Sequence, residues 1–250
     1  MTVIAPNFEF VDYAEHRSRR QEDYDVTLSK EETKVSPDEF LCRLLATRSP
    51  TEDPRCSLDI VAVPTSDITA LIQSVQEQFA IDGIYIYPAA NLHLTITEII
   101  HSVPLEQAES FLRDCGGEKI IHEILKNLPR LQLNNPTISC DLDAIAMSFL
   151  PASRFTPSYL KNGIDLKCRA QSIAIQSPRY NLPSAHITIA RYTKPIRGVD
   201  VLAAKKRADA LAAAWQGSWH VEDYESRIGR TWFGGGRVIH SERTEHIPTF

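Results

Sequence analysis

Two short segments of the chain alternate polar and aliphatic positions in the same order. The first reads HLTI from His93 to Ile96, and the second reads HITI from His186 to Ile189. A period of two is typical of a half-buried strand, because successive side chains on a strand point to opposite faces. The pattern therefore predicts two strands that bury their aliphatic residues and each present a histidine and a threonine on an open face.

The elements around the two segments follow one another in a similar order. Strand, helix, histidine-threonine strand and helix occur once from about residue 58 and again from about residue 138. The two histidines are 93 residues apart. Such a repeat predicts an α+β fold, bilobal and duplicated, in which two antiparallel sheets flank a central cleft and the helices lie outside. Each lobe is expected to supply one histidine-threonine strand to the cleft.

Residues 1–50 differ in pattern from the rest and are expected to form an N-terminal extension. They are polar and mixed in charge, with no sustained period, so we expect a segment that is partly disordered or laid over the domain, with its arginines in solvent. The sequence SPDE at 36–39 has the form of a capping box with Pro37 at the first helical position, and it predicts a short helix near 37–47. Residues 51–250 then form the bilobal domain.

Composition narrows the class of protein. A formal net charge of −5 argues against a long nucleic-acid track, which is normally bound by a basic surface. Five cysteines without a CxxC pair argue against a disulfide framework and against a zinc ribbon. Because no apolar run is long enough for a signal peptide or a membrane span, we expect a cytoplasmic protein, with a nuclear location as the alternative. We also expect a monomer.

The paired motifs, NLHLTITEI and SAHITIARY, resemble those of the two-histidine (2H) phosphoesterases. That group includes the 2′-5′ RNA ligase-like proteins and the plant and fungal cyclic nucleotide phosphodiesterases. The resemblance covers roughly Leu58 to Ile239, and the segment RIGRTWFGGG is similar to the fungal cyclic phosphodiesterases. It implies a bilobal α+β fold with a central cleft, no metal and no cofactor. The catalytic set that it implies is His93, Thr95, His186 and Thr188.

These residue types suit the hydrolysis of a 2′,3′-cyclic phosphate on a nucleotide or an RNA end. One imidazole, with a pKa of about 6.5, can take a proton from the attacking water while the other gives a proton to the leaving sugar oxygen. Threonine hydroxyls can donate hydrogen bonds to phosphoryl oxygens as these gain negative charge. The symmetry of the motifs leaves the two roles open, with His186 as base and His93 as acid as the first assignment.

Other functions fit the same sequence. A 3′-end RNA exonuclease of the same family would use the same four residues, and a non-catalytic nucleotide or RNA-end binder would keep the cleft without turnover. A metallohydrolase would take its ligands from His93, His101 or Asp141.

Further residues near the motifs are candidate substrate contacts. Tyr87, Tyr180 and Tyr192 flank the motifs and are candidates to stack on a base, with packing in the core as the alternative. Strict alternation along the second strand turns Arg191 away from His186 and towards a surface ion pair.

Overall fold

The computed structural model describes residues 12–49, 53–114, 117–152, 156–170, 175–176, 184–231 and 236–243. Its helices are α1 (Tyr13–Leu28), α2 (Glu39–Thr47), α3 (Ser66–Gln76), α4 (Leu105–Asp114), α5 (Gly117–Leu125), α6 (Pro157–Ala170) and α7 (Gly198–Ala214). Its strands are β1 (Cys56–Val63), β2 (Ile84–Ile86), β3 (Leu94–Val103), β4 (Gln132–Cys140), β5 (Ala144–Pro151), β6 (Ala185–Tyr192), β7 (Trp219–His220), β8 (Asp223–Gly229) and β9 (Arg237–Arg243).

The strands of the described residues form one antiparallel sheet. Their order is β7-β4-β5-β6-β3-β1-β8-β9, and β2 pairs with β6. The sheet has two halves that meet where β3 and β6 pair at one position, Leu94 with Ile187. The predicted α+β fold with two antiparallel lobes is confirmed. The two lobes are joined through the histidine-threonine strands themselves.

The aliphatic positions of the two motifs are buried, as predicted. Leu94, Ile187 and Ile189 have no exposed surface, and Ile96 is 4% exposed. These side chains belong to the hydrophobic core of the domain. Burial of one leucine or isoleucine side chain contributes about 1.5–3 kcal/mol, and a one-residue slip of a strand would expose the whole set. The core therefore fixes the register and holds the histidines and threonines on the opposite face.

The N-terminal segment contains a 16-residue helix, α1, that hydrophobic periodicity does not predict. Its inward face is mostly polar. Gln21 donates to the carbonyl oxygen of Ile138 at 3.3 Å, and Asp25 pairs with Lys205 of α7 at 3.2 Å. Leu28, at the end of the helix, is fully buried. Because the residues on the inward face of this helix are mostly polar, a search for an apolar stripe misses it.

The second helix, α2, is capped differently from the prediction. Asp38 is its N-cap, and a carboxylate oxygen of Asp38 accepts a hydrogen bond from the backbone nitrogen of Leu41 at 2.9 Å. Pro37 therefore precedes the cap instead of occupying the first helical position. The second carboxylate oxygen of Asp38 lies 3.2 Å from Arg191. The start of α2 is thus tied to β6.

A β-bulge in β6 changes the direction of the residues that follow it. Consecutive residues of β5 pair with Thr188 and Ala190, which leaves Ile189 as an extra residue in β6. An extra residue breaks the strand alternation, and Arg191 lines the same cavity as His186. The prediction that Arg191 points away from His186 was therefore wrong, because it assumed regular alternation past Ile189.

The described cysteines carry free thiols. They are Cys42, Cys56, Cys140 and Cys168, while Cys115 lies outside the described residues. In the part of the chain that the structure describes, no helix has both the length and the apolar character needed to cross a membrane.

Candidate active site

The polar residues of the two motifs share one face of the sheet. The antiparallel pair that joins β3 and β6 places His93 across from Thr188, and Thr95 across from His186. Residues directly opposite each other in an antiparallel pair have Cα atoms about 4.5–5.5 Å apart. Each imidazole therefore has beside it a hydroxyl from the other lobe, and the four side chains form one cluster.

His93 is held by the turn that precedes β3. Its Nδ1 lies 2.9 Å from the carbonyl oxygen of Asn91, the last residue of a short 3₁₀ helix, Ala89–Asn91. A carbonyl oxygen only accepts, so Nδ1 carries the ring proton. The Nε2 atom of His93 consequently keeps a free lone pair that can accept a proton.

His186 is held by the residue two positions before it, as His93 is. Its Nδ1 lies 2.6 Å from the hydroxyl oxygen of Ser184, and the ring also hydrogen bonds with the main chain of Ser184. The two imidazoles are thus anchored by residues in equivalent positions of the two motifs. For His93, this anchoring leaves the Nε2 side of the ring available to a ligand.

Both imidazoles are neutral at pH 7 in the ligand-free protein. The pKa of His93 is lowered from 6.5 to about 4, chiefly by burial and also by the charges of Arg227 and His186. The pKa of His186 is likewise lowered to about 4, chiefly by burial and also by the charges of Arg20 and Arg191. An anion bound between the rings favours the charged form of an imidazole and therefore raises these pKa values.

A cavity of about 510 Å³ opens beside His186 and Thr188. This volume lies within the range of about 300–1,000 Å³ that is typical of small-molecule pockets. Helices α1 and α2, which the family resemblance does not cover, contribute to its walls. The charged residues that line it are Arg20, Arg55, Arg191, Asp38, Glu39, Asp141 and Asp143.

Arg20 differs from the other two arginines of this cavity. Arg55 pairs with Asp53 at 2.8 Å, and Arg191 pairs with Asp38 at 3.2 Å. Arg20 forms no ion pair with any residue that the structure describes, yet it is close enough to His186 to lower the pKa of that imidazole. The arginines of the N-terminal segment are therefore not all in solvent, contrary to expectation.

Arg227 of β8 lies on the His93 side of the cluster. It is 7% exposed and pairs with Glu225 at 2.8 Å. Its charge lowers the pKa of His93. Each imidazole therefore has an arginine nearby, which suits the binding of an anionic group between the rings. Arg227 belongs to the segment RIGRTWFGGG, which is part of the family resemblance. No other feature in the sequence analysis pointed to this residue.

The candidate stacking tyrosines lie in the core where the structure describes them. Tyr87 is 1% exposed, and its hydroxyl accepts a hydrogen bond from Nε of Arg191 at 3.2 Å. Tyr192 is fully buried and donates to the carbonyl oxygen of Asp141 at 3.2 Å. Neither ring offers an exposed face to a base, and Tyr87 instead positions Arg191. Tyr180 lies outside the described residues.

The ligands considered for a metallohydrolase do not meet. One carboxylate oxygen of Asp141 accepts hydrogen bonds from the backbone nitrogens of Asp143 and Ala144, at 2.8 and 2.7 Å, and so closes the turn between β4 and β5. Among the described residues, His93, His101 and Asp141 form no group close enough to share one metal ion.

Several solved structures align with this chain. A conserved protein of unknown function, ATU0111 from Agrobacterium tumefaciens, aligns with a TM-score of 0.57 at 11% identity, over 88% of this chain and 99% of its own. TT0787 of Thermus thermophilus aligns with a TM-score of 0.47 at 15% identity, over 76% of this chain and 100% of its own. Escherichia coli LigT, complexed with 3′-AMP, aligns with a TM-score of 0.45 at 14% identity, over 77% of this chain and 99% of its own.

The matched structures include members of the 2H phosphoesterase superfamily, the group that the paired motifs resemble. At these identities the likeness, carried by ATU0111, shows the fold. The chain matches no protein-family model and no curated protein sequence.

Proposed function

We propose that this protein is a metal-independent phosphodiesterase of the 2H type, which hydrolyses 2′,3′-cyclic phosphates of nucleotides or RNA ends. The observation that carries the proposal is the register of β3 and β6, which sets His93 beside Thr188 and His186 beside Thr95. This register brings two proton carriers and two hydroxyl donors to one face of the sheet.

The reaction needs one imidazole in each protonation state. Water attacks phosphorus while one imidazole takes its proton. The bond from phosphorus to one ribose oxygen breaks, and the other imidazolium protonates that oxygen, which leaves a phosphomonoester. The hydroxyls of Thr95 and Thr188 donate hydrogen bonds to the non-bridging oxygens, where negative charge accumulates.

The surroundings of the two histidines support a division of roles. His186 lies near two arginines, Arg20 and Arg191, and both disfavour its protonation. A histidine that stays neutral is suited to act as the base. His93 then acts as the acid, after the bound phosphate has raised its pKa and allowed it to take up a proton.

The cavity supports a small substrate. Its volume of about 510 Å³ suits a nucleotide or the terminal residues of an RNA. Arg20, without an ion-pair partner among the described residues, is placed to bind a further anionic group of that substrate. The acidic residues of the same walls disfavour a long phosphate backbone. The expected cytoplasmic or nuclear location belongs to the same proposal.

The test is a substrate panel with chelator present. The protein is incubated with 2′,3′-cyclic nucleotides, ADP-ribose cyclic phosphate, 2′-5′ linked dinucleotides and oligouridylate, and the products are separated by chromatography. We expect turnover of a cyclic phosphate that survives chelator, and losses of about 10²–10⁴-fold in His93→Ala and in His186→Ala.

A matched control is available on the same strand. His101 of β3 lies beyond the cluster, and His101→Ala should retain full turnover. Shortening of oligouridylate without cyclic phosphate turnover would favour the exonuclease. Ligand binding without turnover of any substrate would make the protein a binder. Full activity in both single histidine variants would overturn the proposed chemistry.

A further inference from the structure

Three side chains away from the active site direct ligand atoms towards one another. His122 of α5 meets His240 and Glu242 of β9, and the described ligand atoms of the three all lie within 4.8 Å of one another. Nδ1 of His122 contacts Nε2 of His240. A carboxylate oxygen of Glu242 lies 3.2 Å from the first nitrogen and 2.9 Å from the second.

The local structure explains why these residues converge. His240 and Glu242 are two positions apart on one strand, so their side chains point to the same side. Ile121 and Leu125 of α5 are buried in the core, and α5 packs against β9, where the imidazole of His122 faces the strand. The two imidazole rings are nearly perpendicular, at 83°, with centroids 4.1 Å apart.

The chemistry of this arrangement is compatible with a bound metal ion. A deprotonated carboxylate oxygen and two ring nitrogens are all lone-pair donors unless a proton lies on one of the nitrogens. The hydrogen bond from His240 lowers the pKa of Glu242, so the carboxylate is charged at neutral pH. The three atoms are therefore held together either by an N–H group of an imidazole or by a metal ion.

The donor set and its spacing suit zinc. Two histidines and one glutamate are a ligand set that zinc uses, with bonds of about 2.0–2.2 Å, which sets tetrahedral ligand atoms about 3.3 Å apart. The distances from Glu242 to the two nitrogens, 3.2 and 2.9 Å, are close to this value. The two imidazoles need only separate by rotation of partly exposed side chains.

We propose that His122, His240 and Glu242 bind one zinc ion, with water as the fourth ligand, and that this ion fastens α5 to β9. The strand β9 is the last in the sheet order, three strands from β3, so the site is separate from the histidine-threonine cluster. Its role is structural, because an edge strand has one unpaired side and gains from a tie to a neighbouring helix.

Two charged residues lie close to this site. Lys126, which follows α5, is near enough to Glu242 to lower the pKa of its carboxyl group, and Arg237 of β9 lies 3.9 Å from Glu118 of α5. The cationic Lys126 competes modestly with a metal for the carboxylate.

The test measures zinc binding and not activity. The 250-residue chain, purified without a metal-affinity step, is equilibrated with zinc chloride, passed through a desalting column and assayed for bound zinc by elemental analysis. We expect one equivalent of zinc. We also expect a rise in melting temperature of about 5–10 °C at a free zinc concentration about 100 times Kd. Cobalt in place of zinc should give the visible absorption of a tetrahedral site.

Variants locate the ion. His240→Ala and Glu242→Gln should abolish stoichiometric binding and the melting shift, while His93→Ala and His101→Ala should leave both unchanged. Glu242→Gln keeps the size of the side chain, so it remains informative if an alanine variant fails to fold. Absence of stoichiometric zinc in the wild-type protein would overturn the proposal. So would retention of zinc in Glu242→Gln and His240→Ala, or its loss in His93→Ala.

Discussion

His186 lies directly across from Thr95, a residue of the other lobe, because β3 and β6 pair in a register that sets them opposite each other. The same register sets His93 across from Thr188. Each half of the proposed reaction centre thus consists of an imidazole from one motif and a hydroxyl from the other. Neither lobe by itself contains a complete half.

The cross-strand pairing makes the threonine hydroxyls a direct test of the mechanism. Replacing Thr95 or Thr188 with valine keeps the shape of the side chain and removes the hydrogen-bond donor. We expect kcat to fall about 10²–10³-fold in each variant, as it does when one oxyanion donor is removed elsewhere. Steady-state kinetics with a 2′,3′-cyclic nucleotide measures the effect.

The serine variants are the matched control for that measurement. Thr95→Ser and Thr188→Ser retain the hydroxyl and should recover most of kcat. If the valine and serine variants lose activity equally, the hydroxyls do not act as donors and the threonines serve only for packing.

Arg20 is expected to contribute to substrate binding. It lines the cavity beside His186 and forms no ion pair with the described residues. Arg20→Ala should raise KM about 10-fold or more while kcat changes less, because charge-assisted hydrogen bonds contribute about 1.5–3 kcal/mol. Arg19, the neighbouring residue, is 73% exposed at its side chain and pairs with Glu15.

Arg19→Ala is therefore the control for Arg20→Ala, with the same change in net charge on the same helix. Unchanged KM is expected for Arg19→Ala. An equal effect of the two substitutions would mean that the helix acts through its overall charge and that Arg20 makes no specific contact.

Binding of an anion should be coupled to proton uptake. Both imidazoles have a pKa of about 4 in the ligand-free protein, and an anion between them raises the pKa of at least one. Sulfate is a suitable probe because it does not itself titrate between pH 5 and 8. NMR titration of the two histidines with and without saturating sulfate should show at least one pKa move upwards. Unchanged titration curves at saturation would contradict an anion site between the rings.

The low histidine pKa values should also make the protein sensitive to acid. Each folded-state pKa, about 4, lies below the value of 6.5 for an unperturbed histidine, so between these values the unfolded state binds more protons. The free energy of unfolding therefore rises with pH from about 4 to 6.5 and is lost as pH falls through that window. Each histidine contributes a slope of up to about 1.4 kcal/mol per pH unit.

Urea unfolding at several pH values measures that slope. His93→Gln and His186→Gln each remove one titrating group and should flatten the dependence by up to one proton, whereas His101→Ala should not. The same slope in the wild type and in both glutamine variants would show that carboxylates alone cause the acid sensitivity.

Much of the site was predictable because it depends on local pattern. The alternation around Leu94 and Ile187 assigned each histidine and threonine to the face opposite the core, since the side-chain period of a strand is two whatever the fold. The repetition of the motif also predicted two lobes that share a cleft. The same local pattern occurs in both motifs, so the positions of the histidine and the threonine could be predicted in each of them.

Other features depend on contacts between distant parts of the chain. The position of Arg191 depends on the bulge at Ile189. The polar face of α1 can be recognised as a packing face only once the fold has placed the carbonyl oxygen of Ile138 beside Gln21. Arg20 enters the cavity for the same reason. None of these residues belongs to a regularly spaced apolar pattern, so the sequence does not indicate which residue each of them contacts.

Strand periodicity and burial of the aliphatic positions were enough to place the two histidines and two threonines on the face opposite the core. What surrounds them depends on the folded chain. Cavity walls, the arginines near each imidazole, the low histidine pKa values and the meeting of His122 with His240 all depend on burial and on charges brought together from far apart in the chain. Such effects act through space and have no fixed spacing in sequence.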